Sequence, residues 1–307
     1  MRNRILTLTL VIAACTTPPA DRAAAAPDST EATRVGVVSG FDLPESARWH
    51  RDRDVFYVSS IGGNPGAKDN AGFISRVRLD GTVDSLHFIQ GGRGGVTLHA
   101  PKGMALAGDT LWVADIDVMR AFDAGTGAPV AQVDLSSHGA LFLNDVAIGP
   151  DGSVYVTDSG LRFDPDSVRH PGPDRIFRID PSRTVQVAAE GAMLDTPNGI
   201  AWDAARSRFL VGGLRTGAAV LAWHPDSSGV DTASMGPGGY DGIEAMGDGG
   251  FLISSHDAHA VYLLRNDTLR IVIDSLAAPA DLGWDAQRRH LLIPTLNGNT
   301  VEIWKVP

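Results

Sequence analysis

Short apolar runs broken by polar turns recur along the whole chain. Six segments share one order: a turn bearing a polar residue, an apolar strand, a turn rich in Asp, Gly or Arg, then a second apolar strand. They are LPESARWHRDRDVFYVSS, APKGMALAGDTLWVADI, LNDVAIGPDGSVYVTDS, TPNGIAWDAARSRFLVGG, YDGIEAMGDGGFLISSH and PADLGWDAQRRHLLIPT. The polar residues at the matched position are Glu45, Lys102, Asn144, Asn198, Asp241 and Asp281, separated by 40 to 57 residues. That period is the length of a four-stranded propeller blade. Each repeat fills out to four strands: YVTDSG is followed by RIFRIDP and TVQVAAEG, and FLISSHDAH by AVYLLRN and TLRIVIDS. The sixth repeat runs out after NTVEIWKVP, one strand short, while TRVGVVSGF (residues 33–41) precedes the first repeat with no blade of its own. The pattern predicts an all-β fold, a six-bladed β-propeller over residues 32–307. An N-terminal strand completes the last blade and closes the ring, which removes the open join between first and last blades.

The first strand of each repeat is almost wholly apolar, as in VAIG and IAW. Such strands are buried on both faces, which places them innermost. The polar residue before each then stands near the mouth of the central channel, and six blades bring six of them into one ring. Glu45, Asn144, Asn198, Asp241 and Asp281 offer hard oxygen donors, with no Cys or His among them. Oxygen donors favour Ca²⁺ or Mg²⁺, and Ca²⁺ tolerates an irregular ring more easily. The competing explanation is local: Asn and Asp also form turns by bonding their own backbone.

Composition agrees with many turns, with 35 Gly and 18 Pro in the chain. A formal net charge of −10 argues against nucleic acid as a partner. The start of the chain has a different character. MRNR, the apolar ILTLTLVIAA and Cys15 form a basic, apolar and processing sequence, so residues 1–15 are read as an export signal. Ile12-Ala13-Ala14-Cys15 resembles a bacterial lipobox, in which the cysteine is lipidated; ordinary cleavage near DRAAAAP is the alternative. Cys15 is the single cysteine, which excludes an intramolecular disulfide. Residues 16–31 are rich in Pro, Ala, Ser and Thr, the composition of a flexible tether. The expected location is therefore periplasmic or outer-membrane-anchored, with the membrane touched only through Cys15. No long apolar segment calls for a partner chain, so a monomer is expected.

LPESARW, LNDVAIGPDG, TPNGIAW and YDGIEAMGDGG together resemble the senescence marker protein/gluconolactonase/luciferin-regenerating-enzyme-like family of six-bladed propellers, over residues 33–307. The resemblance implies that Glu45, Asn144, Asn198 and Asp241 ligate a divalent metal, usually calcium. It also implies hydrolysis of a lactone or organophosphate ester, hence a small-molecule substrate. A metal in a pocket polarises a carbonyl or phosphoryl oxygen and lowers the pKa of a bound water. A nearby carboxylate then accepts a proton or attacks. Asp241 is the candidate for that step, with Asp145 orienting Asn144 or the water. HAPKGM and PADLGWD also resemble an exported bacterial subgroup, a likeness that implies no particular activity.

Lys102 departs from this pattern. At ~6 Å and an effective dielectric of ~20, an ammonium repels a divalent ion by about 5 kcal/mol. The ring's carboxylates offset this, provided Lys102 leans toward Asp281 or Glu45. Counting Glu45, Asp241 and Asp281 against Lys102 leaves two negative charges, enough for one Ca²⁺. Three roles are open for Lys102: pairing with a ring carboxylate, binding an anionic group or oxyanion, or replacing the metal as the site's cation. His99, His256 and His259 are further acid–base candidates, although each also fits an ordinary loop. GGRGG at 91–95 lacks the ending of a phosphate-binding loop and reads as a connector. RFDPDSVRHPGPD at 162–174 lengthens one loop of the third blade, either as a cover for the pocket or as plain surface. The expected function is metal-dependent hydrolysis of a lactone or related ester in the cell envelope. The alternative is a non-catalytic propeller that binds a ligand or partner, with calcium or Lys102 as a structural peg.

Overall fold

The computed structural model describes residues 31–164 and 166–307. The export-signal, lipobox and most of the tether expectations fall on residues 1–30, outside the described residues. Six four-stranded antiparallel sheets are arranged as blades. Their innermost strands are Pro44–His50, Pro101–Ala107, Leu143–Ile148, Pro197–Asp203, Tyr240–Ala245 and Gly283–Asp285, for blades 1 to 6 respectively. Each of these strands contacts the innermost strand of the next blade, and that of blade 6 returns to that of blade 1. Blade 6 takes its outermost strand from Thr33–Ser39, which pairs antiparallel with Thr300–Lys305. The predicted closure is therefore present.

The core is divided among the joins between blades. Six apolar clusters each draw on two neighbouring blades. Val55, Tyr57, Met104 and Val113, for example, fill the join of blades 1 and 2. This explains why the innermost strands lack the alternation of a half-solvated sheet: both faces meet another blade.

A shared irregularity aims the ring. In blade 2, Pro101 opposes Asp115 while Met104 opposes Val113, so three steps on the inner strand match two on its neighbour. The same bulge occurs between Leu143 and Val146, Pro197 and Ile200, and Tyr240 and Ile243, and blade 1 has its counterpart between Pro44 and Ser46. A bulge adds one residue and re-aims side chains. Here it yields two successive tiers at the channel mouth. The first tier holds Glu45, Lys102, Asn144, Asn198 and Asp241.

Candidate functional site

Blade 6 corrects the sixth member of the ring. Pro279 pairs with Thr295 and Gly283 with Leu292, so Pro279 takes the place of Pro44, Pro101 and Pro197. Ala280 then occupies the first tier, and Asp281 belongs to the second, with Ser46 and Asp145. The polar side chain of Asp281 had suggested the neighbouring frame, whereas the proline marks the true one. The first tier accordingly carries two carboxylates, two amides and one ammonium, one net negative charge rather than two.

The loops that deliver these residues are held by buried carboxylates at the ends of second strands. Asp115 accepts hydrogen bonds from the backbone of His99 (3.1 Å) and Ala100 (2.8 Å), just before Lys102. Asp158 accepts from Leu141 (3.1 Å) and Phe142 (2.9 Å), just before Asn144. Glycine allows the tiers to nest: a Cβ on Gly103 would lie 2.5 Å from Asp145 Cα, and one on Gly242 would lie 2.4 Å from Asp281 Oδ1. The glycines of PKG and YDG thus mark close approach between blades as well as turns.

Within the first tier, Glu45 Oε2 and Asn198 Oδ1 are buried and accept no hydrogen bond from any described residue. Asn198 Nδ2 donates to Tyr240 O at 3.2 Å, and Asn144 Nδ2 to Ser159 Oγ at 3.2 Å, which fixes both amides with their oxygens free of these bonds. Burial, then the Asp241 and Asp281 carboxylates, push the Glu45 carboxyl well above its usual range, while Lys102 opposes the shift. Asp241 Oδ2 lies 2.5 Å from His256 Nε2. Burial disfavours charge on His256, but Asp241 outweighs it and raises the imidazole's pKa. His256 is thus part of the site, and its only sequence signal was its place directly after the second strand of blade 5.

Lys102 is 2% exposed. Its Nζ donates to Ala100 O at 3.2 Å and sits 4.1 Å from the centroid of the Phe142 ring. Among the described residues no carboxylate lies within ion-pair distance of it, so the expected lean onto Glu45 or Asp281 is replaced by a carbonyl and an aromatic face. Burial lowers its pKa to about 8, with Glu45 the strongest opposing charge.

Asp145 lies below the ring, with both carboxylate oxygens occupied. Oδ1 accepts from Arg48 Nη2 (3.1 Å) and Val146 N (2.7 Å), and Oδ2 accepts from Ile200 N (2.9 Å). Arg48 also meets Asp281 at 2.9 Å, and Ser46 Oγ donates to Asp281 Oδ2 at 2.6 Å. This buried network links blades 1, 3, 4 and 6 beneath the first tier. It was not legible in SARWH, where Arg48 reads as one polar residue in a strand. Asp145 thereby ties the strand that carries Asn144 to blades 1 and 4.

The remaining candidates lie in loops and make local contacts. His99 Nδ1 accepts from Asn70 N at 3.1 Å, and His259 Nδ1 contacts Leu276 O at 3.1 Å. Residues 91–95 form a turn in which Gly92 N donates to Val96 O at 2.9 Å. The long loop of blade 3 contains a small hairpin, Arg162–Asp164 with Ser167–Arg169. Its Phe163 stacks on Phe142 at 4.6 Å, on the ring that holds Lys102.

The donor set suits a hard divalent cation. Two carboxylates and two amides occupy one tier, and two of their oxygens are buried without a donor, a condition that is costly unless a cation or proton meets them. No group of three or more His, Cys, Asp or Glu side chains arranged to hold a metal occurs among the described residues. The candidate set depends instead on its two amide oxygens.

The profile of the SMP-30/gluconolactonase/LRE-like region matches residues 43–222. The chain belongs to this family. No functionally curated protein matches the sequence. Among solved structures, a gluconolactonase from Xanthomonas campestris is similar with a TM-score of 0.64 at 17% identity, covering 89% of this chain and 91% of that one. A luciferin-regenerating enzyme has a TM-score of 0.60 at 12% identity, covering 88% and 94%. A virginiamycin B lyase from Staphylococcus aureus has a TM-score of 0.61 at 11% identity, covering 90% and 99%. At these identities the likeness is one of fold.

Proposed function

We propose that this family member is a divalent-cation-dependent hydrolase of a lactone or related ester, with calcium the preferred ion, acting in the cell envelope after export. The observation that carries the proposal is the pair of buried, donorless oxygens, Glu45 Oε2 and Asn198 Oδ1, in one tier with Asn144 and Asp241. Membership of a family that includes gluconolactonases supports the reaction class.

Glu45, Asn144, Asn198 and Asp241 would hold the cation. A bound divalent ion supplies Lewis acidity, polarising the ester carbonyl and easing deprotonation of water. Asp241 and His256 share a proton at their Oδ2–Nε2 contact. This pair accepts a proton as water adds to the carbonyl carbon and returns one to the departing alkoxide oxygen as the ring C–O bond breaks. The product is the hydroxy acid. Lys102 acts through its charge, offsetting Glu45 in the apoprotein and favouring the developing oxyanion. Asp145, through Arg48 and Ile200 N, fixes the strand under Asn144.

A panel of γ-butyrolactone, glucono-δ-lactone and p-nitrophenyl acetate, with calcium and with chelator, tests the proposal. Turnover restored by calcium and lowered at least ~100-fold in Asp241→Asn supports it. No turnover of any substrate at saturating calcium overturns it. With cation binding intact, that result favours a non-catalytic propeller that binds a ligand or partner, with calcium or Lys102, already buried in the ring, as a structural peg.

A further inference from the structure

The collar above the first tier differs in chemistry from one side to the other. Two positions recur in every blade there: the residue two before the first-tier residue, and the residue that follows the second strand. Around blades 6, 1, 2 and 3 these positions are largely apolar. Leu43, Ile61, Ala100, Ile116 and Leu296 pack as one cluster, with Leu43 and Leu296 half-buried at its surface. Phe142 continues this wall, and half-buried Phe163 stacks on it from the blade 3 hairpin. A Cβ on Gly66 would lie 2.9 Å from Phe163 Cβ, so the long loop of blade 1 meets the hairpin across blade 2.

Around blades 4 and 5 the wall breaks up: of the same four positions only one, half-buried Leu214, carries an apolar side chain, and Thr196 and His256 are polar. Thr196 and Gly239 precede Asn198 and Asp241, and His256 follows the second strand of blade 5. Thr216 Oγ1 donates to Asp257 Oδ2 at 2.6 Å beside them.

We propose, resting on the hydrolase reading above, that the substrate is a lactone or ester bearing an apolar alkyl or aryl group, not a polyhydroxylated sugar lactone. The apolar group lies against Leu43, Leu296 and Phe163. The departing oxygen then faces His256 on the polar side. A sugar lactone would set hydroxyls against an apolar wall with no partner to bond them. An alkyl chain removes apolar surface from water on both sides of the contact.

The test uses the full chain with calcium and two ligand series. The first is a set of γ-alkyl-γ-butyrolactones of increasing chain length, with glucono-δ-lactone beside them. The expected kcat/KM rises about three- to fourfold per methylene over the first few carbons, and glucono-δ-lactone falls below the alkyl lactones. Phe163→Ala and Leu296→Asn flatten this slope. The second series is 2-alkylcyclopentanones, carbocyclic analogues that are not hydrolysed, titrated by calorimetry. Their affinity rises with chain length by a similar factor. A flat or falling slope in turnover and affinity, or a preference for glucono-δ-lactone, overturns the substrate assignment and leaves the hydrolase intact. Absence of turnover together with a rising affinity slope overturns the hydrolase while the apolar collar stands.

Discussion

Lys102 shows how a single side chain changes the electrostatics of the ring. Its ammonium is buried over Phe142 with one carbonyl partner, and its pKa falls to about 8 from an ordinary 10.5. Between those values the unfolded chain binds a proton that the folded chain does not. Stability therefore rises with pH from about 8 to about 10.5, as the charge penalty in the fold is relieved. Lys102→Met removes the penalty, so it is expected to be the more stable protein below pH 8. Thermal melts should show its advantage over wild type shrinking as pH climbs through that window. Glu45 behaves differently, because burial and two neighbouring carboxylates oppose its charge. Glu45→Gln keeps the shape and removes one negative charge. It should weaken calcium binding at least ~10-fold, about 1.4 kcal/mol, while leaving the cation-free protein as stable as wild type or more so. Titration calorimetry and melts in chelator separate the two effects. Glu45, Asn144, Asn198 and Asp241 were legible because each opens an apolar repeat in the same place. Asp281 was misplaced by one residue, because a polar match outweighed the proline frame and a bulge leaves no trace in the hydrophobic pattern.

At the scale of the element, the ring depends on clamps that the sequence disguises. Asp115 in VADI and Asp158 in VTDS read as residues that begin a turn. In the fold each is a buried acceptor for the loop entering its own innermost strand. Burial raises the Asp158 pKa, while the backbone N–H groups of Phe142, Gly160 and Leu141 oppose that shift. Removing its oxygens leaves those donors buried and unpaired. Asp158→Ala is expected to cost about 3 kcal/mol, roughly 5 °C in Tm for a domain of this size. Asp158→Asn, which keeps an acceptor, should lose less. The hairpin order of the blades was plain from alternating turns and apolar runs. The contacts of His256 and Phe163 were not, because both lie in loops whose positions follow from closure of the ring and not from any local pattern.

At the scale of the molecule, stability is spread over the joins between blades. Exposed ion pairs bridge adjacent blades at the far rim: Arg53 to Asp109, Arg208 to Asp267, and Arg288 to Asp54. Pairs of this kind contribute little individually. Closure matters more, since the outermost strand of blade 6 comes from the other end of the chain. Deleting residues 33–39 would leave Thr300–Lys305 as an open edge and uncover Val301 and Ile303, both buried against Val38. The truncated chain should melt at lower temperature and self-associate, as size-exclusion chromatography would show. Six repeats and one orphan strand made this closure legible in the sequence, because the strand count has no other balanced solution.

The central claim is that the first tier holds a divalent cation despite Lys102. Calcium titration of the cation-free full chain by calorimetry, with bound metal counted by mass spectrometry, tests it most directly. The account predicts about one calcium per chain, bound at least ~10-fold more weakly in Glu45→Gln. A wild-type chain that binds none, beside a Lys102→Asn variant that binds one, would contradict it and make the lysine the cation of this ring.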